Sequence, residues 1–207
     1  MPTLMVVMGL ISVIFAALML YRRRDIKRMF AYSSIEHMGI IVFAFGMGGA
    51  LANFAGLLHM TLHSLTKSAI FFAVGHIAQV KGTQKIADIG GLTVTNPVLG
   101  WGLVLGVVAI VGLPPLGIFM SEFLIVSSTF ARQPWLTAIL VLGILIALGG
   151  LFMRLNVVAF GEPKGLTKPA EASYVPMFTH LALVLMAGIY LPPALVAGFS
   201  NVARLLG

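Results

Sequence analysis

The chain has 207 residues, of which 59% are hydrophobic and only 9% are charged, and its mean hydropathy is +1.05. A soluble domain of this length could not bury so much apolar surface in one core, so the composition predicts an integral membrane protein. The net charge of +7 comes from cations in short stretches between apolar runs, which membrane topology explains without a nucleic-acid partner. The absence of cysteine excludes disulfides, thiolate metal sites and cysteine nucleophiles.

Six apolar runs have the length, about 20 residues, that is needed to cross about 30 Å of hydrocarbon. The first has no basic stretch before it and no small-residue cleavage site, so we interpret it as a transmembrane helix and not as a signal peptide. Consecutive prolines predict interruptions near 112–117 and at 191–193. We therefore predict an all-α polytopic membrane protein with one domain, 1–207, and helices at about 3–21, 29–48, 54–79, 97–130, 135–160 and 176–206.

Lys and Arg are distributed unevenly among the predicted loops. One side holds ten of them, the other holds Arg132 and Arg204, and Lys67 lies alone in mid-membrane. The positive-inside rule then predicts that the side with ten cations faces the cytoplasm and that both termini lie outside. The ten are Arg22, Arg23, Arg24, Lys27, Arg28, Lys81, Lys85, Arg154, Lys164 and Lys168.

The segment HMTLHSLTK places three ionisable residues, His59, His63 and Lys67, four residues apart within the third apolar run. Each step of four residues turns a helix by about 40°, so the three side chains share an arc of about 80° and span about 12 Å. A charged residue at this depth costs about 2.5–3.5 kcal/mol on insertion scales, so three on one face indicate a proton or ion path.

Each of these groups has a second interpretation. Burial disfavours a charged ammonium, so Lys67 could load and release a proton, but it could also be a structural cation that is paired with a carboxylate. His59 and His63 could relay protons, fill space in the core or, by their spacing, bind a metal, although no HExxH pattern supports a metal site. His76 lies about 180° around the helix from Lys67, near the cytoplasmic end, and is a candidate proton entry group.

Glu122 follows the GLPPLG interruption by five residues. An interrupted helix exposes backbone polar groups that attract water and ions to mid-membrane, which makes Glu122 a second candidate proton carrier. The alternative is that Glu122 caps the second half-helix.

The segment DIKRMFAYSSIEHMG runs from Asp25 to Gly39 and enters the second helix. Asp25 is placed to cap the N-terminus of that helix. Glu36 and His37 then lie about two turns inside, where they could form a cytoplasmic mouth of the path or pair with loop cations for stability.

These segments carry a family resemblance. DIKRMFAYSSIEHMG, HSLTKSAIFFAVGH and GLPPLGIFMSEF, in this order, resemble the second half of the antiporter-like proton-pumping subunits of complex I, multisubunit cation/proton antiporters and energy-converting hydrogenases. AYSSIEHMG, HSLTKSAIFFAVGH and KIADI are most similar to the hydrogenase-4 component F branch, which is akin to the formate hydrogenlyase membrane subunit. Gly90 in ADIGGL departs from the pattern, because an arginine is expected there.

The resemblance implies a fourteen-helix subunit with two inverted repeats, of which this chain would be a C-terminal fragment that holds the last six helices and lacks the first repeat. It also implies that Lys67 is the central lysine of the second half-channel, that His59 and His63 are its relay neighbours, and that Glu122 is the acidic residue of the second broken helix. We expect Glu36, His37 and His76 to complete the candidate proton path.

The leading hypothesis is a proton-translocating membrane subunit of a hydrogenase or NADH dehydrogenase-like complex in a bacterial or archaeal cytoplasmic membrane, with other membrane subunits as partners. The alternatives are a subunit of a multisubunit sodium/proton antiporter and a passive membrane scaffold for hydrogenase subunits. We predict no catalytic residue, cofactor or metal of its own, since the sequence shows no serine nucleophile motif, phosphate loop or clear metal signature.

Overall fold

A computed structural model describes residues 2–165 and 172–206 of the chain. These residues form helices joined by short turns, with no β-strand among them, in agreement with the predicted all-α membrane fold. The helices are α1 (Pro2–Leu20), α2 (Ile26–Met47), α3 (Ala50–Lys81), α4 (Leu92–Thr95), α5 (Pro97–Ile110), α6 (Gly117–Phe130), α7 (Pro134–Leu155), α8 (Val175–Ile189) and α9 (Pro193–Leu205). A 3₁₀ turn (Ile86–Asp88) precedes α4, and a π-helical turn (Asn156–Phe160) extends α7.

Four of the described helices, α1, α2, α3 and α7 with its π turn, are long and apolar enough to cross a membrane. A fifth span results if α8 and α9, which meet at a bend of 77°, are taken together. The helices α5 and α6 have 14 residues each, so each is about 21 Å long and too short to cross alone. Both predicted proline interruptions therefore coincide with breaks between helices.

The helix α3 is the centre of the bundle and packs against α2, α5, α6, α8 and α9. On the side of α2 that faces away from α3, glycines bring α1 and α2 close together. A Cβ atom at Gly9 would lie 2.7 Å from the carbonyl oxygen of Gly39, and one at Gly46 would lie 2.7 Å from the amide nitrogen of Val6. Such contacts between small residues are typical of membrane helix pairs, and here they fix how far α2 is inserted relative to its neighbours.

The break between α5 and α6 is built around a glycine and two prolines. Gly112 has a φ of +69°, which a residue with a Cβ rarely adopts, and the Pro114–Pro115 peptide is cis. The chain resumes a helix at Gly117. This break places the first two turns of α6, including Glu122, beside the middle of α2 and α3.

Polar contacts tie the loops together at the end of the bundle where α2 begins. Asp25 caps α2 as predicted, because its Oδ1 accepts a hydrogen bond of 2.9 Å from the amide of Arg28. Asp25 also forms an isolated β-bridge with Lys85. Lys168, one of the ten cations, lies outside the described residues.

The unexpected Gly90 has a local explanation. A Cβ atom there would collide with the carbonyl oxygen of Glu162, and the backbones of Gly90 and Lys164 form an isolated bridge. An arginine at this position would require the two segments to separate. The departure from the family pattern is thus accompanied by close packing of two loops and involves no residue of the membrane interior.

Candidate functional site

Three helices bring polar side chains together in the middle of the membrane bundle. Glu36 and His37 come from α2, His59 and His63 from α3, and Glu122 from α6. Each is at most 8% exposed. Because an unpaired buried polar group is costly, their contacts determine what this cluster can do. We call the five residues the polar cluster.

Glu36 and His37 lie deeper than the sequence indicated. The helix α2 begins at Ile26, three residues before the predicted position of 29, and ends at Met47. Glu36 is therefore about 15 Å along the helix from its start, near the midpoint of its 22 residues. Both residues therefore lie about 4.5 Å farther along α2 than expected and are buried in the bundle, and their role as a cytoplasmic mouth of the path stays a prediction.

His37 is the residue with the most partners in the polar cluster. Its Nδ1 lies 3.0 Å from Nε2 of His59, a hydrogen-bond distance, and 4.0 Å from Oε1 of Glu122. Its Nε2 lies 3.3 Å from Oε2 of Glu36, and its ring centroid is 5.0 Å from that of His63. An imidazole can accept a proton at one nitrogen and donate one from the other, so His37 can pass a proton between α2, α3 and α6.

His59 connects the polar cluster to a residue that the sequence analysis did not select. Its Nδ1 lies 2.9 Å from the hydroxyl oxygen of Ser121, which in turn lies 2.9 Å from the carbonyl oxygen of Ile118. Ser121 is fully buried. The only signal in the sequence was its position next to Glu122 just after the break, and spacing within one helix does not show which residue of another helix it meets.

Glu122 is the sixth residue of α6, and the N-cap position of that helix is held by Leu116 without a side-chain hydrogen bond. The alternative that Glu122 caps the half-helix is therefore wrong. Its carboxylate lies against Gly112 so closely that a Cβ there would collide with Oε2. The break thus holds this carboxylate beside His37.

Between Glu36, His37 and Glu122 there is a small cavity of about 10 Å³, whose remaining lining is apolar and comes from α5, α7 and the break. This is about the minimum volume that holds one water molecule. A water bound there would have polar partners on two helices.

Lys67 lies at the edge of the polar cluster. Its Nζ donates a hydrogen bond of 2.9 Å to the carbonyl oxygen of Phe30 and lies 5.5 Å from the centroid of the Phe30 ring. Among the described residues, no carboxylate oxygen lies within ion-pairing distance of Nζ. A direct ion pair of Lys67 is therefore not seen in the part of the chain that the structure covers, although Glu36 is close enough to interact with it electrostatically.

A groove of about 660 Å³ reaches His63 and Lys67 from the surface shared by α2 and α3. Three serines, Ser34, Ser64 and Ser68, are among its lining residues. Ionisable and hydroxyl side chains in a groove on a helix face in the membrane interior are unusual for a surface in contact with lipid. It gives the cluster access to whatever covers this face.

His76 is not brought into contact with the polar cluster. It is buried on another side of α3, where its ring meets the edge of the Tyr174 ring at a centroid distance of 5.3 Å. Its predicted role as a proton entry group remains an expectation.

One nitrogen of His37, one nitrogen of His59 and one oxygen of Glu122 lie within 4.8 Å of one another and could in principle ligate a metal ion. However, two nitrogen ligands of tetrahedral zinc, each about 2.0–2.1 Å from the metal, would be separated by about 3.3 Å. The observed 3.0 Å between Nδ1 of His37 and Nε2 of His59 fits a shared hydrogen better.

Comparison with known proteins shows which family the chain is similar to. Residues 1–147 match the family described as NADH:quinone oxidoreductase/Mrp antiporter, TM. The chain is 65% identical over 203 residues to the hydrogenase-4 component F homolog of Methylacidiphilum infernorum (isolate V4), an alignment that covers 98% of this chain and 43% of that protein.

Two solved structures have the same fold. A chain of the Mrp complex from Dietzia sp. DQ12-45-1b matches with a TM-score of 0.88 and 16% identity, over 99% of this chain and 47% of that chain. A chain of respiratory complex I from Thermus thermophilus matches with a TM-score of 0.88 and 23% identity, over 100% of this chain and 45% of that chain. The chain thus spans less than half the length of each of these proteins. The match over residues 1–147 shows that it belongs to the NADH:quinone oxidoreductase/Mrp antiporter transmembrane family.

Proposed function

We propose that the chain forms one proton half-channel in a membrane subunit of an energy-converting hydrogenase or NADH dehydrogenase-like complex, and that it couples redox chemistry in partner subunits to proton movement. The observation that carries the proposal is the position of His37, whose two ring nitrogens face groups on its own helix and on two others. The 65% identity to a hydrogenase-4 component F homolog favours the hydrogenase branch.

The proposed path runs from the groove beside Lys67, past His63, to His37, and from there to Glu122. His63 lines the groove and its ring is 5.0 Å from that of His37, so it lies between the groove and the centre. A water molecule in the cavity between Glu36, His37 and Glu122 would bridge the 4.0 Å that separates His37 Nδ1 from Glu122 Oε1. In a longer subunit, the groove would face the neighbouring half and receive its proton.

We further propose that the basic end of the bundle faces the cytoplasm in a bacterial or archaeal cell membrane. The contacts support a common side for these cations, because Arg24, Lys85 and Arg154 line one pocket of about 740 Å³. Arg132 lies near the opposite end of α2, where its Nη1 donates to the carbonyl oxygens of Met47 and Gly48 at 2.7 Å each. Both termini would then lie on the outer side.

The proposal is tested by replacing Lys67 in the assembled complex with alanine. We expect the number of protons moved per electron to fall to near zero, because the residue between the groove and the cluster no longer carries a proton. Lys27→Ala is the matched control, since Lys27 is an exposed lysine on α2. Undiminished proton movement in the Lys67→Ala complex would contradict the proposal.

A sodium/proton antiporter subunit is the second candidate, favoured by the family match and by the equal TM-scores of 0.88 for the Mrp complex and complex I. It predicts transport that requires sodium, whereas a proton pump works without it. A passive scaffold predicts that neutralising Lys67 and Glu122 together leaves coupling intact. Measuring proton movement in these variants with and without sodium separates the three functions.

A further inference from the structure

The hydroxyl group of Ser121 has one hydrogen and two neighbours. The carbonyl oxygen of Ile118, three residues earlier and 2.9 Å away, can only accept a hydrogen bond, and helical serines commonly donate to such a carbonyl, so we assign the hydroxyl hydrogen to it. The Ser121 oxygen is then left as an acceptor for Nδ1 of His59, also at 2.9 Å. With the hydroxyl hydrogen assigned to Ile118, Nδ1 of His59 is the donor and carries a hydrogen.

The direction of this hydrogen bond determines the next one. A neutral His59 with a hydrogen on Nδ1 has none on Nε2, so Nε2 accepts the hydrogen of His37 Nδ1 across the 3.0 Å contact. The remaining nitrogen of His37, Nε2, faces Oε2 of Glu36 at 3.3 Å, and those two atoms share the next proton. In the row Glu36, His37, His59, Ser121, the hydrogens on Ser121, on Nδ1 of His59 and on Nδ1 of His37 then follow from donation to Ile118.

We propose that Ser121 is a positioning residue that fixes the tautomer of His59, with its hydrogen on Nδ1, and thereby makes Nε2 of His59 the proton acceptor for His37. The assignment rests on these distances and on the preference of a helical serine to donate to a carbonyl of its own helix, and its consequence for transport rests on the proposed function above. Nothing in the helical spacing of α3 selects this tautomer, since the partner comes from α6.

The row moves one proton without any other reactant. A proton passes from Glu36 Oε2 to His37 Nε2, the hydrogen on His37 Nδ1 passes to His59 Nε2, and His59 becomes an imidazolium while His37 is again neutral. The proton goes no further, because the Ser121 hydrogen is directed to an amide carbonyl, which does not take up a proton near neutral pH. His59 therefore holds a proton reversibly, and onward transfer from His37 goes to Glu122.

The test is a nitrogen-15 NMR measurement on the full chain in lipid bilayers, with the histidines labelled. The signals of His59 are identified by their absence in His59→Gln. We expect a protonated Nδ1 and an unprotonated Nε2 in the native chain at a pH where the ring is neutral. A native His59 with its hydrogen on Nε2 would overturn the proposal without any transport assay.

Ser121→Ala removes the acceptor, so we expect His59 to lose the hydrogen on Nδ1 and to donate from Nε2 instead, because an unsatisfied buried donor is costly. Ser121→Thr keeps the hydroxyl and should keep the native tautomer. Ser128→Ala is the matched control, since Ser128 lies on the same helix, is 8% exposed and donates to the carbonyl of Ile125 at 2.9 Å in the same way. An unchanged His59 tautomer in Ser121→Ala would contradict the proposal.

The transport readout separates this proposal from the function itself. In the assembled complex, Ser121→Ala should shift the pH dependence of proton movement while Ser128→Ala leaves it unchanged. If the tautomer changes and the pH profile does not, the positioning role of Ser121 in transport is overturned although the hydrogen-bond assignment stands. If no proton movement occurs in the native complex, the proposed function fails and the tautomer result is unaffected.

Discussion

At the scale of single residues, the position of His37 determines the chemistry of the site. It contacts Glu36, His59 and Glu122 through its two nitrogens, whereas His59, His63 and Lys67 share no hydrogen bond in the structure. The four-residue spacing correctly predicts that three ionisable residues share one face of α3. It could not predict that the histidines of α3 connect to residues of other helices instead of to one another, because that depends on how α2 and α6 are placed against α3.

Gly112 is the residue that supports Glu122. With a φ of +69° and the Glu122 carboxylate against its Cα, it tolerates no side chain. We expect Gly112→Ala to lower the free energy of unfolding in mixed micelles by at least about 1–2 kcal/mol, the typical cost of a left-handed backbone for a residue with a Cβ.

Gly75→Ala serves as the control, since a Cβ at Gly75 has no heavy atom within 4 Å. We expect it to leave the unfolding free energy unchanged or slightly higher, because alanine favours a helix more than glycine does. Equal stability of the two variants would show that Gly112 does not hold the break in its observed conformation.

At the scale of secondary-structure elements, the proline runs predict both breaks. With the π turn counted as part of α7, the ends of the apolar runs lie within four residues of the observed helix ends, the largest difference being the start of α3 at Ala50 instead of 54. The position of Glu36 along its helix was predicted less well. Glu36 was placed about two turns inside α2, but the Asp25 cap starts that helix at Ile26, and contacts such as that of Gly9 with Gly39 fix its position beside α1. Contacts of this kind depend on the tertiary structure and leave no periodic signal in the sequence.

The break also depends on a second helix that packs against it. A Cβ at Gly188 in α8 would lie 2.7 Å from the carbonyl carbon of Leu116 and 2.8 Å from the amide nitrogen of Gly117. We therefore expect Gly188→Ala to push α8 away from the break and to cost about 1–3 kcal/mol, the usual cost of overpacking. The measurement is again the free energy of unfolding in mixed micelles.

The control for that variant is Gly198→Ala in α9, where an added Cβ meets no heavy atom within 4 Å. The Gly198→Ala variant should unfold at the same denaturant concentration as the native chain. If Gly188→Ala also does so, α8 does not support the break as the structure indicates.

At the scale of the whole molecule, the proposed orientation can be tested without background labelling, because the chain has no cysteine. We expect a single cysteine at Lys85 to react with a membrane-impermeant thiol reagent only from the cytoplasmic side. A cysteine at Arg132 should react only from the outer side. The reverse pattern would show that the cation asymmetry does not determine the topology.

The central claim is that His37 passes the translocated proton between α2, α3 and α6. The most direct measurement is the number of protons moved per electron by the assembled complex with His37→Gln, compared with His180→Gln, a histidine on α8 whose ring lies 5.7 Å from Phe72 and outside the polar cluster. We predict that His37→Gln abolishes proton movement and that His180→Gln retains it. Native proton movement in the His37→Gln complex would contradict the claim.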